Sequence, residues 1–334
     1  MPDRPDVSAP LGLTPTDAER RALDAGDEEE LALHVARRYY LDDQSKVDVA
    51  KALGLSRFQV ARLIADARRR GQVRIEIGSP GRIDEELGRD LAAALGIGHA
   101  VVVQDSSGPS GSAVRHLADA LALVLAEVVQ EGDTLGMAWS RAIETMARSL
   151  ESLRPCTVVQ LAGALHLTGD RLGSVEVVRR IAEVAGGSAR PVYAPIVVDS
   201  ATTAAALRRQ AGIADSLDLV SGMDVAVFSV GTWRPSGSAV FDVVDEEARA
   251  EATAAGAVGE VSGRLLSADG EHLTTSLDER IVGVTVEELL GVPTRIVTSH
   301  GAYRARATVA AVRAGLVGTL VTDDTLARAV LADV

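Results

Sequence analysis

The sequence predicts an α/β chain in two parts: a short helical unit near the N-terminus, then a larger, Rossmann-like doubly wound domain on a mostly parallel sheet. Three observations carry that expectation. Apolar residues make up 47 % of the 334 residues but aromatics only 3 %, which suits cores of Val, Ala, Leu and Ile around strands buried on both faces. From residue 84 onward, short apolar runs alternate with amphipathic stretches in the rhythm of strand-helix units. Residues 45–70, by contrast, hold two capped helices around a single glycine.

Residues 1–26 contain Pro2, Pro5, Pro10 and Pro15 with few large apolar side chains, and read as a lead-in without fixed structure. The acidic run Asp27-Glu-Glu-Glu30 opens a first helix, where negative charge complements the helix N-terminus. Its apolar positions are Leu31, Val35 and Tyr39. Ser45 with Asp48, and Ser56 with Gln59, then have the spacing of capping boxes. They start helices over 46–53 and 57–70, joined at Gly54-Leu55, with Val49, Leu53, Val60, Leu63 and Ile64 between them. Val73-Arg-Ile-Glu-Ile77 alternates at period two and reads as a wing strand. Gly78-Ser-Pro-Gly81 punctuates the chain. The expected division is therefore a helical domain over 27–77, a linker over 78–83 and the large domain over 84–334.

In the large domain, strands are expected at 100–104, up to Gly136, at 157–161, 224–229, 294–298 and 316–321. Helices are expected at 84–95, 113–130, 140–150, 174–184, 201–211, 215–220, 302–313 and 324–331. In such folds ligands sit beyond the carboxyl ends of the strands. Four loops qualify: Gly136–Arg141, Gln160–Gly163, Ser229–Thr232 and Ser299–Arg304. Gly, Ser and Arg at helix N-termini suit phosphate or carboxylate, because free N–H groups and the helix dipole both favour an anion.

Helix, glycine-containing turn, helix is the unit that reads DNA through its second helix, although an ordinary helical hairpin has the same pattern. Charge separates the two. From Arg37 to Arg74 there are ten basic and four acidic residues, so the rest of a chain at −13 carries −19. A basic island on an acidic protein is the footprint of a nucleic-acid-binding module. Arg57, Gln59 and Arg62 face outward and could read guanine or adenine, or hold phosphates. Phe58 either meets a thymine methyl or packs against the first helix, with packing favoured. Lys46 and Ser56 complete the candidate DNA-binding set.

Cys156 is the only cysteine, which excludes an intrachain disulfide and a Cys-based zinc finger and fits a reducing, cytoplasmic setting. No apolar run approaches the roughly twenty residues that span a bilayer. The six histidines show no metal-binding spacing such as HExxH, so neither metal nor cofactor is expected.

Several stretches together resemble SorC-type transcriptional regulators, which are similar to the DeoR-named regulators of sugar and deoxynucleoside catabolism. These are the helix pair 45–70 with Gly71–Ile77, Val159-Gln-Leu-Ala-Gly163, Tyr193-Ala-Pro-Ile-Val197, Gly256-Ala-Val-Gly-Glu260 with Gly263-Arg264, and Gly318–Asp323. The resemblance runs from about Glu30 to Leu331. It implies a winged helix-turn-helix followed by a sugar-binding domain that has the fold of sugar-phosphate isomerases and deaminases without their catalysis. It also implies homotetramers, as dimers of dimers, on operator DNA, and a phosphorylated sugar effector that alters the grip on DNA. The family's Gly-rich loop corresponds to Gly136–Ala142, and its Gly-x-x-Lys to Gly301–Arg304.

Two departures bear on the effector. Trp139-Ser-Arg-Ala142 stands where Trp-Gly-x-Thr is usual, and Arg304 replaces the lysine, which exchanges a point charge for a planar fork. Arg141 and Arg304 can still clamp a phosphate, but a plain sugar, polyol or sugar acid fits as well. The candidate effector-binding residues are Gly136, Trp139, Ser140, Arg141, Gly163, Gly231, Glu260, His300, Gly301, Arg304 and Asp323, with His166 a further candidate. Glu260 and Asp323 are expected near sugar hydroxyls, or else as helix caps or arginine partners. The rival reading is a sugar-phosphate isomerase or deaminase with an N-terminal DNA-binding module. It requires a positioned base, for which Glu260, Asp323 and His300 are the candidates. An RNA-binding scaffold lacks the aromatic stacking platform such proteins use.

Overall fold

The structure is a computed structural model that describes residues 14–42, 44–73, 82–104, 112–165 and 171–333. The chain divides into two compact units, Met1–Gly78 and Ser79–Val334. The expected wing falls almost wholly outside the described residues, as does His166.

The first unit holds helices α1 (Asp17–Ala25), α2 (Glu28–Tyr40), α3 (Lys46–Leu53) and α4 (Arg57–Arg69). The expectation of an unstructured lead-in over 1–26 does not hold for α1. Thr16 and Glu19 form a capping box there, and the Glu19 carboxylate accepts from Arg38 Nε at 2.5 Å and Nη2 at 2.8 Å. The buried Ala22 joins the core of Leu31, Val35, Val49, Leu53, Val60, Leu63 and Ile64. Proline count alone misses this, because one buried ion pair and one cap order the segment. Gly54 ends α3 in the left-handed conformation at φ 65°, and its N–H donates to the Ala50 carbonyl. That turn sends the chain directly into α4.

The second unit is built on ten strands: β1 (Arg82–Ile83), β2 (His99–Gln104), β3 (Thr134–Met137), β4 (Thr157–Gln160), β5 (Ser188–Arg190), β6 (Val225–Thr232), β7 (Gly259–Val261), β8 (Arg264–Leu266), β9 (Thr294–Thr298) and β10 (Thr319–Asp323). Their order is β1-β2-β10-β9-β6-β3-β4-β5. The ladder from β2 to β5 is parallel throughout. β1 pairs antiparallel with β2, and the β7–β8 hairpin continues the far end of β6 in antiparallel pairing.

Alternate residues of β6 enter opposite cores, as strand geometry requires. Val225 and Val227 meet the helices 112–128, 141–149 and 174–185, whereas Ala226, Phe228 and Val230 meet the helices 305–313 and 324–333. After β3 the chain builds outward through β4 and β5, then returns to β6 and builds the other way through β9 and β10. The strand order therefore reverses between β3 and β6, which is where a doubly wound sheet opens a crevice.

Two expectations need adjustment. β5, Ser188–Arg190, lies where no strand is expected. The segment expected as one helix at 302–313 begins with a 3-10 turn, Ala302–Arg304, before the α-helix Ala305–Arg313.

Candidate functional site

A cavity of about 360 Å³ lies at the carboxyl ends of the strands flanking that reversal. Four segments wall it: Ala138–Ala142 after β3, Ala162, Gly163 and Leu165 after β4, Ser229–Gly231 with Ser236–Val240 from β6, and Thr298–His300 with Tyr303 and Arg304 after β9. Glu260, Ser262, Arg171 and Asp242 complete much of the lining. Eight of the eleven candidate effector residues are brought together here: Trp139, Ser140, Arg141, Gly163, Gly231, Glu260, His300 and Arg304.

The other three serve the frame. Gly136 packs into the core, where an added Cβ would strike Met223 and Leu161. Gly301 sits at φ 81°, and its N–H donates to both carboxylate oxygens of Asp323, at 3.1 and 3.0 Å. The same carboxylate accepts from the Leu326 N–H at 2.9 Å and the Thr325 hydroxyl at 3.1 Å. Asp323 thus caps the last helix and pins the loop that carries His300 and Arg304.

Each lining group has a local cause. Ser140 caps the helix Arg141–Ser149, accepting from the Ile143 N–H at 3.2 Å, and so turns Arg141 to the cavity edge. The Arg141 side chain is exposed and makes no hydrogen bond or ion pair with the described residues. Trp139 donates its indole N–H to the Leu172 carbonyl at 2.8 Å, and the Arg171 guanidinium covers its ring at 4.8 Å. The Arg304 guanidinium donates to the His300 carbonyl at 2.7 Å and lies 4.5 Å from the Tyr303 ring, which Arg234 also approaches at 4.3 Å.

Electrostatically the cavity is short of negative charge. Burial lowers the pKa of Arg304, and repulsion from Arg141 and Arg234 adds to it. Burial, then Arg304 and Arg141, push His300 down to about 4, so the imidazole is neutral at neutral pH. Glu260 is buried and accepts no hydrogen bond from an arginine among the described residues. Its carboxyl accepts from the Ser238 hydroxyl and the Gly263 N–H, both at 2.8 Å. Burial nevertheless drives its pKa up. Gly231 allows that carboxyl to come so close, since a Cβ there would lie 2.2 Å from Glu260 Oε1. The guanidiniums of Arg141 and Arg304 have no carboxylate partner among the described residues and stand among hydroxyls, whereas Arg171 pairs with Glu144 at 3.3 Å.

Sequence reading missed Arg171, Ser236, Ser238, Ser262 and Tyr303. Ser262 and Ser236 have positive φ, 50° and 57°, and are the only non-glycine residues among those described that do. Ser262-Gly263 forms the two-residue turn between β7 and β8, the kind that needs positive φ at both positions. The buried Ser262 hydroxyl oxygen has no hydrogen-bond partner, and the residue lines the cavity. A two-residue Ser-Gly between Gly259-Glu-Val261 and Arg264-Leu-Leu266 is the hairpin signal that could have found it.

In the first unit, α4 presents Arg57, Phe58, Gln59 and Arg62 outward. Gln59 is partly committed: its side-chain oxygen accepts from the Ser56 N–H at 2.8 Å, while Ser56 Oγ accepts from the Gln59 N–H at 3.2 Å. Arg62 pairs with Glu28 at 2.7 Å, with both side chains exposed. The ammonium of Lys46 lies 5.3 Å from the Tyr39 ring. The packing expected of Phe58 is not observed, as its side chain is 87 % exposed. Val60, Leu63, Ile64 and Ala67 fill the buried face, and at about 100° per residue position 58 falls opposite them.

Residues 83–332 match the Sugar-bind family of sugar-binding domains. The transcriptional regulator YjhU of Escherichia coli K12 is 28 % identical over 213 residues, which are 63 % of this chain. The chain spans only 65 % of that regulator's length. Among solved structures, the full-length sorbitol operon regulator SorC from Klebsiella pneumoniae superposes with a TM-score of 0.69, at 19 % identity over 91 % of this chain and 99 % of its own. A domain of a possible sugar-binding transcriptional regulator from Arthrobacter aurescens TC1 gives 0.67, at 25 % identity over 76 % of this chain and 99 % of its own. The chain belongs to the Sugar-bind family of sugar-binding domains.

Proposed function

We propose that this chain is a DNA-binding transcriptional regulator of carbohydrate metabolism, and that a sugar or sugar phosphate in the β3/β6 cavity alters its grip on operator DNA. The observation that carries the reading is that Arg141 and Arg304, which have no carboxylate partner among the described residues, stand among hydroxyls at the reversal of the strand order. Arg141 and Arg304 hold the anionic group, and Glu260, Ser262 and His300 meet the sugar hydroxyls. The first unit acts as a helix-turn-helix, with Lys46, Ser56, Arg57, Phe58, Gln59 and Arg62 at the DNA. The protein works in the cytoplasm as a homotetramer, a dimer of dimers, so that several copies of α4 meet spaced half-sites. Effector binding shifts the assembly by its differential affinity for the DNA-competent state.

No reaction is part of this reading. The carboxyls of Glu260 and Asp323 are both held by hydrogen bonds, and His300, titrating near 4, is a weak base at neutral pH. The test uses the full chain. Phosphorylated and plain sugars are screened by thermal shift, since a ligand stabilises in proportion to RT ln(1 + [L]/Kd). The best stabiliser is then added to a gel shift on DNA selected by the protein. A sugar phosphate should raise the melting temperature and change DNA affinity together. Turnover of the sugar, or stabilisation with no change in DNA binding, would overturn the reading.

A further inference from the structure

Phe58 is the most exposed large apolar side chain among the described residues, at 87 %. It is the second residue of α4, at the end of a reading helix whose side chains reach base edges. Its neighbours narrow what it can meet. Arg57 is exposed and makes no hydrogen bond or ion pair with the described residues, whereas Gln59 spends its side-chain oxygen on the cap and Arg62 is paired with Glu28. One and two turns along the same face stand Ala61 and Ala65, short side chains that let a partner approach, with Arg62 beside them turned to Glu28. Arg57 adjoins Phe58 at the start of the helix, and the exposed arginines 68, 69 and 70 stand about 15–18 Å further along it, the last two paired with Asp66 and Glu29; a helix that is basic at both ends suits a polyanion rather than a second copy of itself.

We propose that Phe58 is a base-reading residue, its ring meeting the C5-methyl group of a thymine in the major groove beside a base or phosphate held by Arg57. The inference rests on the DNA-binding reading above. A thymine methyl is the apolar feature the major groove offers, and an aromatic side chain is one of its recognised partners. Gln59 then sets the start of the helix, and the thymine preference of the half-site comes from Phe58.

The test begins with duplexes that the full-length wild-type chain selects from a random pool. Each thymine in the selected site is replaced by deoxyuridine, which removes the methyl and leaves the base-pairing edge intact. One such replacement per half-site should weaken the wild type about three- to fivefold, the factor that burying one methyl provides. Phe58→Ala should lose affinity on the thymine duplex and show no further loss on that uracil duplex. Phe58→Leu, which keeps an apolar surface, should recover part of the methyl sensitivity. Because the ring is exposed, Phe58→Ala should match the wild type in helix content and melting temperature.

Equal wild-type binding to every uracil duplex overturns the proposal. So do losses from Phe58→Ala and from the uracil that multiply independently. A change of oligomeric mass in Phe58→Ala, measured by light scattering, would assign the ring to a contact between copies and overturn it too. If no duplex is selected above non-specific binding, the DNA-binding reading itself fails, a result distinct from all of these.

Discussion

Two of the buried glutamates, Glu19 in the first unit and Glu260 in the second, sit in opposite electrostatic settings. Burial pushes the pKa of Glu19 up, but hydrogen bonds from Arg38 and Thr16 outweigh it and hold the carboxyl at about 2. Glu260 receives hydrogen bonds from Ser238 and Gly263 but no bonded cation, and there burial wins and the pKa rises. Of the cavity's arginines, Arg171 pairs with Glu144 at 3.3 Å, whereas Arg304 donates to a backbone carbonyl and stacks on Tyr303 with Arg234, and Arg141 makes no ion pair with the described residues. The first unit closes its buried charge within itself, as a frame should. The second leaves positive charge uncompensated beside a cavity, which is where a ligand completes the balance.

Breaking the closed pair should have the largest effect on stability. Arg38→Ala leaves Glu19 buried without its partner and should cost the first unit about 2–4 kcal/mol in urea unfolding. Combining it with Glu19→Gln should return much of that loss, and a single-variant loss below about 0.5 kcal/mol would show that the pair contributes little. On the cavity side, Arg304→Ala should weaken binding of the stabilising sugar phosphate about 10- to 100-fold by calorimetry, the range of a hydrogen bond to a charged group. If its affinity is unchanged, the anion-holding role of Arg304 is wrong. Ser56→Ala, which removes the cap of α4, should cost about 1 kcal/mol, read from the same urea curves.

The pH profile sharpens the contrast further, because the two glutamates carry opposite signs. Glu19, lowered to about 2 from an ordinary 4.5, contributes stability that is complete above 4.5 and lost as the pH falls toward 2. Glu260, raised above 4.5, contributes stability that is complete below 4.5 and lost as the pH rises through its folded pKa. Glu260→Gln should therefore flatten the high-pH side and leave the acid limb in place. His300, lowered from 6.5 to about 4, adds a loss as the pH falls across that window. His300→Asn should remove this part, and an unchanged profile between 6.5 and 4 would refute the burial of a neutral imidazole.

Much of the fold was legible locally. The caps at Ser45 and Ser56 mark the starts of α3 and α4, because a cap is a contact over three residues and needs no distant partner. The apolar runs of β2, β6, β9 and β10 stand out because both faces of a central parallel strand are buried. The Thr16-Asp-Ala-Glu19 capping box of α1 is equally local and is masked by the prolines around it, whereas the ion pair of Glu19 with Arg38, nineteen residues away, was not legible. The β7–β8 hairpin was missed because three-residue strands carry too little periodicity to register.

The sequence by itself determined the helix pair with its basic surface, the alternation that makes a doubly wound sheet, and the loops that face one end of it. These follow from periodicity, capping and charge, all of which act over a few residues. Only the tertiary structure decided which loop residues converge, which carboxyl is neutralised by a partner, and which ring stays in solvent. Gly231 and Glu260, or His300 and Asp323, are far apart along the chain, and their roles depend on which strands become neighbours. Phe58 makes the same point in reverse. Its sequence context allowed burial or exposure, and the packing of Val60, Leu63 and Ile64 into the core left the ring outside.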